Sequence, residues 1–291
     1  MDRIELRAGR STLILSPRYG AAILRFSHNG QDMFKPSDAK WTNDRSPTQT
    51  SCFPLVPYSN RIRDGKFVYQ RQIVNIAGAF ADYNHALHGL GWTNPWKIDQ
   101  FSAAHCVCTY RHEANQWPWS FTARQHITLG NGHLTMALSI TNDSHTNMPA
   151  GLGFHPYFPA KNTAKLRFHA DGVWMAGDDI LPTEWIALPP KWNFSHGLNV
   201  AGMSVDHCFT GLGTMAQIDW TNARYGLDIH IDRAQQWAVV YVPKDEPYFC
   251  FEPVSHMNDA HNWAHDLAGT GLRSLPSGET LTVTTVFAVR E

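Results

Sequence analysis

The chain has 291 residues and a formal net charge of −1, with 24 lysines and arginines against 25 aspartates and glutamates. No basic run stands out, which argues against nucleic acid or an anionic membrane surface as a partner. The length suits one large all-β domain. Aromatic residues make up 12% of the chain and include 11 tryptophans, which suits a large core or a sugar-binding cleft.

The amino-terminal residues contain no apolar signal-peptide region, and no segment approaches the roughly 20 apolar residues of a membrane helix. The cysteines are odd in number and lie among apolar neighbours: Cys52, Cys106, Cys108, Cys208 and Cys250. We therefore expect reduced thiols in a cytoplasmic protein and no disulfide framework.

Apolar and polar residues alternate with a period of two along much of the chain, as in strands that are buried on one face. The clearest segments are residues 11–15, 22–26, 124–129, 134–141 and 281–287. Asn29-Gly30 follows the second segment, and Gly130-Asn131-Gly132 separates the third from the fourth. Asn-Gly between apolar runs is a strong hairpin signal. We therefore predict two hairpins and, further on, a closing strand.

Helical periodicity is scarce, and its best example, residues 259–267, is short. Many short strands punctuated by glycine, asparagine and proline predict an all-β protein, an antiparallel sandwich or barrel. No long linker, charge block or internal repeat divides the chain. We therefore expect residues 1–291 to form a single domain.

One titratable ring lies among aromatic residues in the segment Gly153-Phe154-His155-Pro156-Tyr157-Phe158. Because a residue before proline favours an extended backbone, His155 is predicted to lie on a strand or at a strand edge. The aromatic neighbours limit water around an imidazole whose ordinary pKa is about 6.5. A hydrogen-bonded core histidine and a proton donor both fit this segment, and the other motifs favour the donor.

A carboxylate follows an apolar run in Phe249-Cys250-Phe251-Glu252-Pro253. The pattern predicts that Glu252 lies at a strand end with limited access to water. Burial raises the pKa of a carboxyl group because it disfavours the anion, and this makes glutamate a better general base. A buried carboxylate without a purpose is energetically costly, so Glu252 is a strong catalytic candidate.

An amide and a guanidinium end another apolar segment, at Asn60-Arg61. The chain then turns through Asp64-Gly65 into a predicted strand. We interpret Arg61 as functional because it adjoins Asn60, and Arg63 as a solvated surface arginine.

Two more polar groups are flanked by residues that suit a binding site. His88 precedes Gly89, which permits a positive φ or a close backbone approach. Trp92 is a candidate flat surface for a sugar ring. Asp206 lies between apolar residues, where a turn or cap aspartate is an equally good interpretation.

Signatures of other chemistries are weak or missing in the sequence. His85-x-x-His88 has the spacing of a metal pair, but no third ligand follows at a clear spacing, so metal binding is disfavoured. Cys106-x-Cys108 alternates along a predicted strand, which favours a core pair over a redox motif. The sequence has no GxGxxG, P-loop or GxSxG motif, so nucleotide binding and serine-hydrolase chemistry are disfavoured.

Taken together, the motifs resemble those of the aldose 1-epimerases, also called galactose mutarotases. Four blocks occur in order over about residues 50–255: Asn60-Arg61-Ile62 with Gly65 and Phe67, Leu87-His88-Gly89, Gly153-x-His155-Pro156-Tyr157-Phe158, and Phe251-Glu252-Pro253. Each block is short, but their order and spacing make the combination specific. The strand-rich flanks fit the large antiparallel β-sandwich of that family.

The resemblance implies that Glu252 is the general base and His155 the general acid in interconverting the α and β anomers of a free aldose such as galactose or glucose. It implies that sugar hydroxyls are held by Asn60, Arg61, His88 and Asp206. It also implies that neither a metal nor an organic cofactor is needed. The expected partner is a monosaccharide, and the protein is expected to be a monomer or a homodimer.

Several alternatives stay open at this point. Residues 239–243 stand where some members place an amide that contacts the sugar, so the preferred aldose is undecided. A hexose-6-phosphate 1-epimerase on the same fold would need extra cations near a phosphate, and Arg61 with Arg63 is the close pair. A non-catalytic carbohydrate-binding protein would not need both His155 and Glu252. A metal-dependent, cupin-like enzyme built on the histidines is a further alternative.

Overall fold

A computed structural model describes residues 2–37, 47–78, 83–221, 223–263 and 267–291. The first half of the chain forms β1 (Ile4–Ala8), β2 (Ser11–Ser16), β3 (Ala22–His28), β4 (Gln31–Asp32), β5 (Cys52–Leu55), β6 (Arg61–Ile62), β7 (Lys66–Tyr69), β8 (Gln72–Asn75), β9 (Ala86–Leu87), β10 (Lys97–Phe101), β11 (His105–His112), β12 (Phe121–Gly130) and β13 (His133–Asn142). The second half forms β14 (Met148–Ala150), β15 (Gly153–Phe158), β16 (Ala164–Phe168), β17 (Gly172–Ala176), β18 (Pro182–Ala187), β19 (Leu198–Asn199), β20 (Val205–Thr210), β21 (Met215–Trp220), β22 (Gly226–Ile231), β23 (Trp237–Val242), β24 (Phe249–Val254), β25 (Arg273–Leu275) and β26 (Thr280–Arg290).

Helical structure in the described residues is limited to short segments. The 3₁₀ segments are Pro47–Gln49, Arg63–Gly65, Lys161–Thr163, Pro190–Trp192, Phe194–His196 and Ala260–Asn262, and α1 is Leu267–Thr270. The helix predicted over residues 259–267 corresponds to the 3₁₀ turn Ala260–Asn262, preceded by Asp259 with a left-handed backbone (φ 53°), and to the first residue of α1. Residues 264–266 of that prediction lie outside the described residues. In the described part of the chain, no helix has the length and apolar character to cross a bilayer.

Two large antiparallel sheets dominate the structure. The eleven-stranded sheet has the order β1-β2-β3-β5-β15-β24-β23-β20-β17-β18, with β4 beside β3. The nine-stranded sheet has the order β10-β11-β12-β13-β26-β22-β21-β16-β19. The pairs β6-β9, β7-β8 and β14-β25 form small additional ribbons. The predicted all-β, antiparallel sandwich is therefore confirmed.

Aromatic side chains from both sheets pack into one core between them. The ring of Phe168 on β16 lies 4.9 Å from that of Phe251 on β24 and 5.4 Å from that of Phe209 on β20. At another point, the Phe34 and Phe287 rings are 4.9 Å apart. Burial of this apolar surface, at about 25 cal/mol per Å², is the main force that holds the two sheets face to face.

Both predicted hairpins are present. In the first, Ser27 pairs with Asp32 and His28 with Gln31, so Asn29-Gly30 is a two-residue turn with positive φ at both positions (48° and 84°). In the second, Gly130 pairs with His133 across Asn131-Gly132. The predicted closing strand lies within β26 and pairs with β13 and β22 at the centre of its sheet.

All five cysteines are buried and free. Cys106 and Cys108 lie on β11 with their Sγ atoms 3.6 Å apart, inside the core between the sheets. This agrees with the core pair that their spacing predicted.

Candidate active site

The candidate site lies on the outer face of the eleven-stranded sheet, away from the nine-stranded sheet. Successive side chains of a strand point to opposite faces. On β24, Phe251 packs into the core between the sheets, so Glu252 projects outward. On β15, Phe154 and Phe158 belong to that core, and His155 projects outward between them.

The antiparallel register brings His155 and Glu252 together. Gly153 pairs with Val254 and Tyr157 with Cys250, so the same register sets His155 opposite Glu252. Nε2 of His155 lies 3.3 Å from Oε1 of Glu252, and both side chains are over 90% buried. The predicted strand at His155 is confirmed.

The prediction for the backbone of Glu252 is wrong in one respect. Glu252 does not end its strand, because β24 continues through Pro253, which pairs with Ala238, to Val254. Proline removes one backbone donor, but its fixed φ is compatible with an extended strand.

Aromatic rings pack against the imidazole of His155 and against one another, since the Phe53 and Tyr157 centroids are 6.2 Å apart. The Phe53 and Tyr157 rings each lie 4.6 Å from it between centroids, with interplanar angles of 33° and 21°. The His88 ring approaches edge-on, at 5.0 Å and 84°. This packing restricts rotation of the His155 ring and keeps Nε2 aimed at Glu252.

Neighbouring strands β23 and β20 supply further polar groups on the same face. Val239 pairs with Glu252, and Tyr241 pairs with Asp206 in the next strand. Asp206 is therefore two strands from Glu252, close enough for its negative charge to raise the pKa of Glu252.

Loops with left-handed backbone conformations supply Asn60 and His88. Their φ angles are 55° and 58°, and the backbone N–H of His88 donates to the carbonyl of Asn60 at 2.8 Å. Gly89, with φ 75°, lies so close to the carbonyl of Val56 that a Cβ atom would approach its oxygen to 2.2 Å. The predicted special backbone at Gly89 is confirmed, and it positions His88 at the site.

Arg61 is held by its neighbours, whereas Arg63 points elsewhere. The Oδ1 atom of Asn60 accepts from Nη1 of Arg61 at 3.2 Å, and Nε of Arg61 donates to the Tyr83 hydroxyl. The half-exposed Arg63 instead lies near Asp179, at 3.5 Å, and near the buried Asp259, at 3.7 Å. The structure therefore separates the two arginines as the sequence analysis did.

A cavity of about 300 Å³ brings these groups together. Its lining comprises Thr48, Asn60, Arg61, His88, His155, Tyr157, Asp206, Val239, Tyr241, Tyr248 and Glu252. The six residues to which the resemblance gave catalytic or sugar-binding roles all line it. A volume of this size suits a small molecule, and the polar lining suits a ligand that forms hydrogen bonds.

Burial shifts the pKa values of Glu252 and His155 in opposite directions. Burial, and then the charge of Asp206, raises the pKa of Glu252 well above its ordinary value, against the opposing charge of Arg61. Burial lowers the pKa of His155 to about 3, and Arg61 and Lys35 act in the same direction. An ionised Glu252, 3.3 Å away, opposes the lowering of the His155 pKa because it stabilises the imidazolium. The two groups therefore compete for the same proton.

The flanking groups also have shifted pKa values. Burial raises the pKa of Asp206 to about 6, with Arg61 opposing it. Burial, His155 and Arg61 lower the pKa of His88 well below its ordinary value, so this imidazole is neutral at pH 7. Nδ1 of His88 is buried and has no hydrogen-bond partner among the described residues. A neutral ring can donate or accept, which suits recognition of a hydroxyl group.

Sequence reasoning missed part of the cavity wall. Tyr248 lies four residues before Glu252, so the period-two pattern that places Glu252 on this face also indicated Tyr248. Tyr241 comes from residues 239–243, whose role was left open. Tyr83, which accepts from Arg61 but does not line the cavity, carries no signal in the sequence, because this contact depends on the loop.

The prediction that Trp92 offers a flat surface to a sugar ring is wrong. Its indole is 2% exposed and packs against Phe53 and His88, with Nε1 donating to the carbonyl of Gly89. It is not part of the cavity lining. Trp92 supports His88 from behind and does not offer a face to a sugar.

One set of side chains in the site has the composition of a metal site. Single ligand atoms of His155, Cys250 and Glu252 lie within 4.8 Å of one another. His85 lies apart from this set, since its Nδ1 accepts from the backbone N–H of Asp64 at 3.0 Å.

Comparison with known proteins agrees with this architecture. The sequence profile of the aldose 1-epimerase family matches residues 2–288. An Escherichia coli K12 protein of unknown function, YphB, is 29% identical over 243 residues, which cover 81% of this chain and 82% of YphB. The chain therefore belongs to the aldose 1-epimerase family.

Solved structures show the same fold. A candidate aldose 1-epimerase from Escherichia coli K12 superposes with a TM-score of 0.90 at 26% identity, covering 99% of this chain and 98% of that one. A galactose mutarotase-like protein from Clostridium acetobutylicum has a TM-score of 0.89 at 18% identity, covering 99% and 95%. Family and fold support a sugar epimerase, an isomerase, with a carbohydrate as its small-molecule partner.

Proposed function

We propose that the protein is a mutarotase that interconverts the α and β anomers of a free aldose such as galactose or glucose. Glu252 is the general base and His155 the general acid. The observation that carries this proposal is the 3.3 Å approach of Nε2 of His155 to Oε1 of Glu252 in a cavity with Arg61, His88 and Asp206.

The reaction opens a cyclic hemiacetal and closes it on the other face of C1. Glu252, as carboxylate, accepts the proton of the anomeric hydroxyl, and a carbonyl forms at C1. The bond between C1 and the ring oxygen breaks, and His155, as imidazolium, delivers its proton to that oxygen. Rotation about C1–C2 then presents the opposite carbonyl face. In the reverse direction, His155 recovers its proton and Glu252 returns one to O1.

The buried pair of His155 and Glu252 suits this order of proton transfers. When the proton for which the two groups compete is on His155, Glu252 is free to accept another. Each positioned acid or base contributes about 10²–10⁴-fold to the rate. Two such groups are sufficient for a reaction that already proceeds in water, so the mechanism needs only side chains of this chain.

The remaining polar groups retain the open-chain sugar. In this proposal Arg61 and the amide of Asn60 donate to hydroxyl oxygens, Asp206 accepts from a hydroxyl, and His88 does either. The ring of Tyr157, stacked on His155, forms an apolar wall of the cavity.

The charge of the cavity favours a free sugar over a sugar phosphate. Among the described residues that line the cavity, Arg61 is the only arginine or lysine. The lining also contains the carboxyl groups of Asp206 and Glu252. Arg63, which the phosphate alternative required, lies near Asp179 and Asp259 instead. Lys35 lies next to the cavity, with Nζ 4.9 and 5.0 Å from the ring centroids of Tyr157 and Tyr248, so a phosphate would meet two cations and two carboxyl groups.

Polarimetry tests the proposal. Freshly dissolved α-glucose, α-galactose and α-glucose 6-phosphate are followed with and without the protein. Faster rotation change with a free aldose is expected. Acceleration of the phosphate alone would show that the substrate class is wrong, and binding without acceleration of any sugar would favour a carbohydrate-binding protein.

A further inference from the structure

The thiol of Cys250 lies next to the acid/base pair but has no part in mutarotation. Cys250 precedes Glu252 by two residues on β24, so both side chains project to the same face of the sheet. It is fully buried, and it pairs across the strands with Tyr157, whose ring stacks on His155.

The three ligand atoms are close enough to share one ion. Because the atoms of His155, Cys250 and Glu252 all lie within 4.8 Å of one another, some point lies within about 2.8 Å of each. Zinc bonds to nitrogen, oxygen and sulfur are about 2.0–2.3 Å long. Side-chain movements of less than about 1 Å would therefore complete three bonds.

We infer that His155, Cys250 and Glu252 form an inhibitory site for a thiophilic divalent cation, Zn²⁺ by its chemistry. Thiolate and imidazole ligands select zinc or cadmium over magnesium or calcium. His155 and Glu252 also line the cavity, which offers an access path and an open fourth position for water. Inhibition rests on the proposed function, whereas the metal site rests on the ligand geometry alone.

The charge of Zn²⁺ is balanced by the ionisation of its ligands. Cys250 loses its thiol proton, and any proton on His155 or Glu252 is released with it, so that all three ligand atoms are free to bind Zn²⁺. The bound assembly of Zn²⁺, thiolate, carboxylate and neutral imidazole has no net charge. A neutral assembly avoids most of the cost of burying an isolated ion. Both catalytic groups are then ligands, so neither can exchange protons with a sugar.

The test compares Cys250→Ser with Cys208→Ser. Cys208 is a matched control because it is a buried free thiol on the same face, two strands away, outside the ligand set. Equilibrium dialysis with Zn²⁺ and the ultraviolet thiolate-to-metal absorption with Cd²⁺ measure binding. The chain has 16 histidines, so the difference between variants decides the outcome, and total bound metal does not.

The Cys208→Ser protein is expected to bind one Zn²⁺ with the wild-type affinity and to show the Cd²⁺–thiolate absorption. The Cys250→Ser protein is expected to lose that absorption and to bind at least about tenfold more weakly, the loss that even outer-shell changes cause at metal sites. Equal binding by both variants, or no thiolate absorption in the wild type, would overturn the inference.

Activity assays separate this inference from the proposed function. Zn²⁺ should abolish mutarotation in the wild type, a chelator should restore it, and Cys250→Ser should resist. A protein that binds Zn²⁺ as described but accelerates no sugar supports the metal site and rejects the mutarotase. A mutarotase that Zn²⁺ does not inhibit rejects the inhibitory site and leaves the catalytic pair intact.

Discussion

Nε2 of His155 faces Oε1 of Glu252 at 3.3 Å, although 97 positions separate the two residues in the chain. They meet because β15 and β24 are hydrogen-bonded neighbours in one antiparallel sheet. The contact makes the two groups one proton-sharing unit, and the first prediction follows from it.

Replacing either member of this unit should remove most of the catalysis. We expect Glu252→Gln to lower kcat by about 10²–10⁴-fold with little change in KM, because the amide retains the shape but cannot accept the proton. The variant with Glu252→Gln and His155→Asn together should lose little more than the worse single variant, since groups that act as a unit are not additive. Polarimetry measures the rates, and circular dichroism controls for folding. Normal turnover in a folded Glu252→Gln protein would reject the catalytic assignment.

The two neighbouring arginines should behave differently when each is replaced by methionine. Arg61→Met is expected to raise KM by about ten- to a hundredfold, the range for losing a charged hydrogen bond of about 1.5–3 kcal/mol. Arg63→Met is the matched control, because Arg63 lies near Asp179 and Asp259 and outside the cavity. It should leave KM within about twofold of the wild type. Equal effects of the two changes would remove Arg61 from the binding site.

Protonation of Asp206 should lower kcat/KM at acidic pH and so produce an acid limb in the pH profile. Its pKa is raised to about 6, so the carboxylate is charged above that pH and neutral below it. As pH falls through 6, kcat/KM should decline, because a neutral acid accepts hydrogen bonds from hydroxyls less well than a carboxylate. In Asp206→Asn, kcat/KM should be low throughout and lack this limb. The same limb in the variant and the wild type would assign it to another group.

The backbone at Gly89 should tolerate no side chain. In Gly89→Ala the new Cβ would lie 2.2 Å from the carbonyl oxygen of Val56, in addition to the strain of a positive φ. Gly30→Ala is the control, because Gly30 also has a positive φ (84°) but no atom lies within 4 Å of the place its Cβ would take. Gly30→Ala should cost about 1 kcal/mol in the free energy of unfolding, and Gly89→Ala clearly more. Urea denaturation measures both, and equal costs would contradict the predicted clash.

Much of the architecture could be predicted from local sequence patterns. Period-two alternation identified strands such as β12, β13 and β26, and Asn29-Gly30 identified a hairpin, since both signals depend on residues that are adjacent in the chain. The backbone requirement at Gly89 was visible for the same reason. Local pattern failed at Glu252, where Pro253 indicated a strand end but pairing with Ala238 continued the strand.

The sequence alone determined which residues were chemically suited to the site, because a carboxylate beside aromatic residues or an imidazole before proline constrains its own surroundings. Only the tertiary structure decided which of them meet. The contact of His155 with Glu252 depends on strand order and register, and the exclusion of Trp92 and Arg63 from the cavity depends on packing between distant segments. Strand order and packing are properties of the whole chain, because they arise from burying many apolar side chains at once. No short segment carries that information.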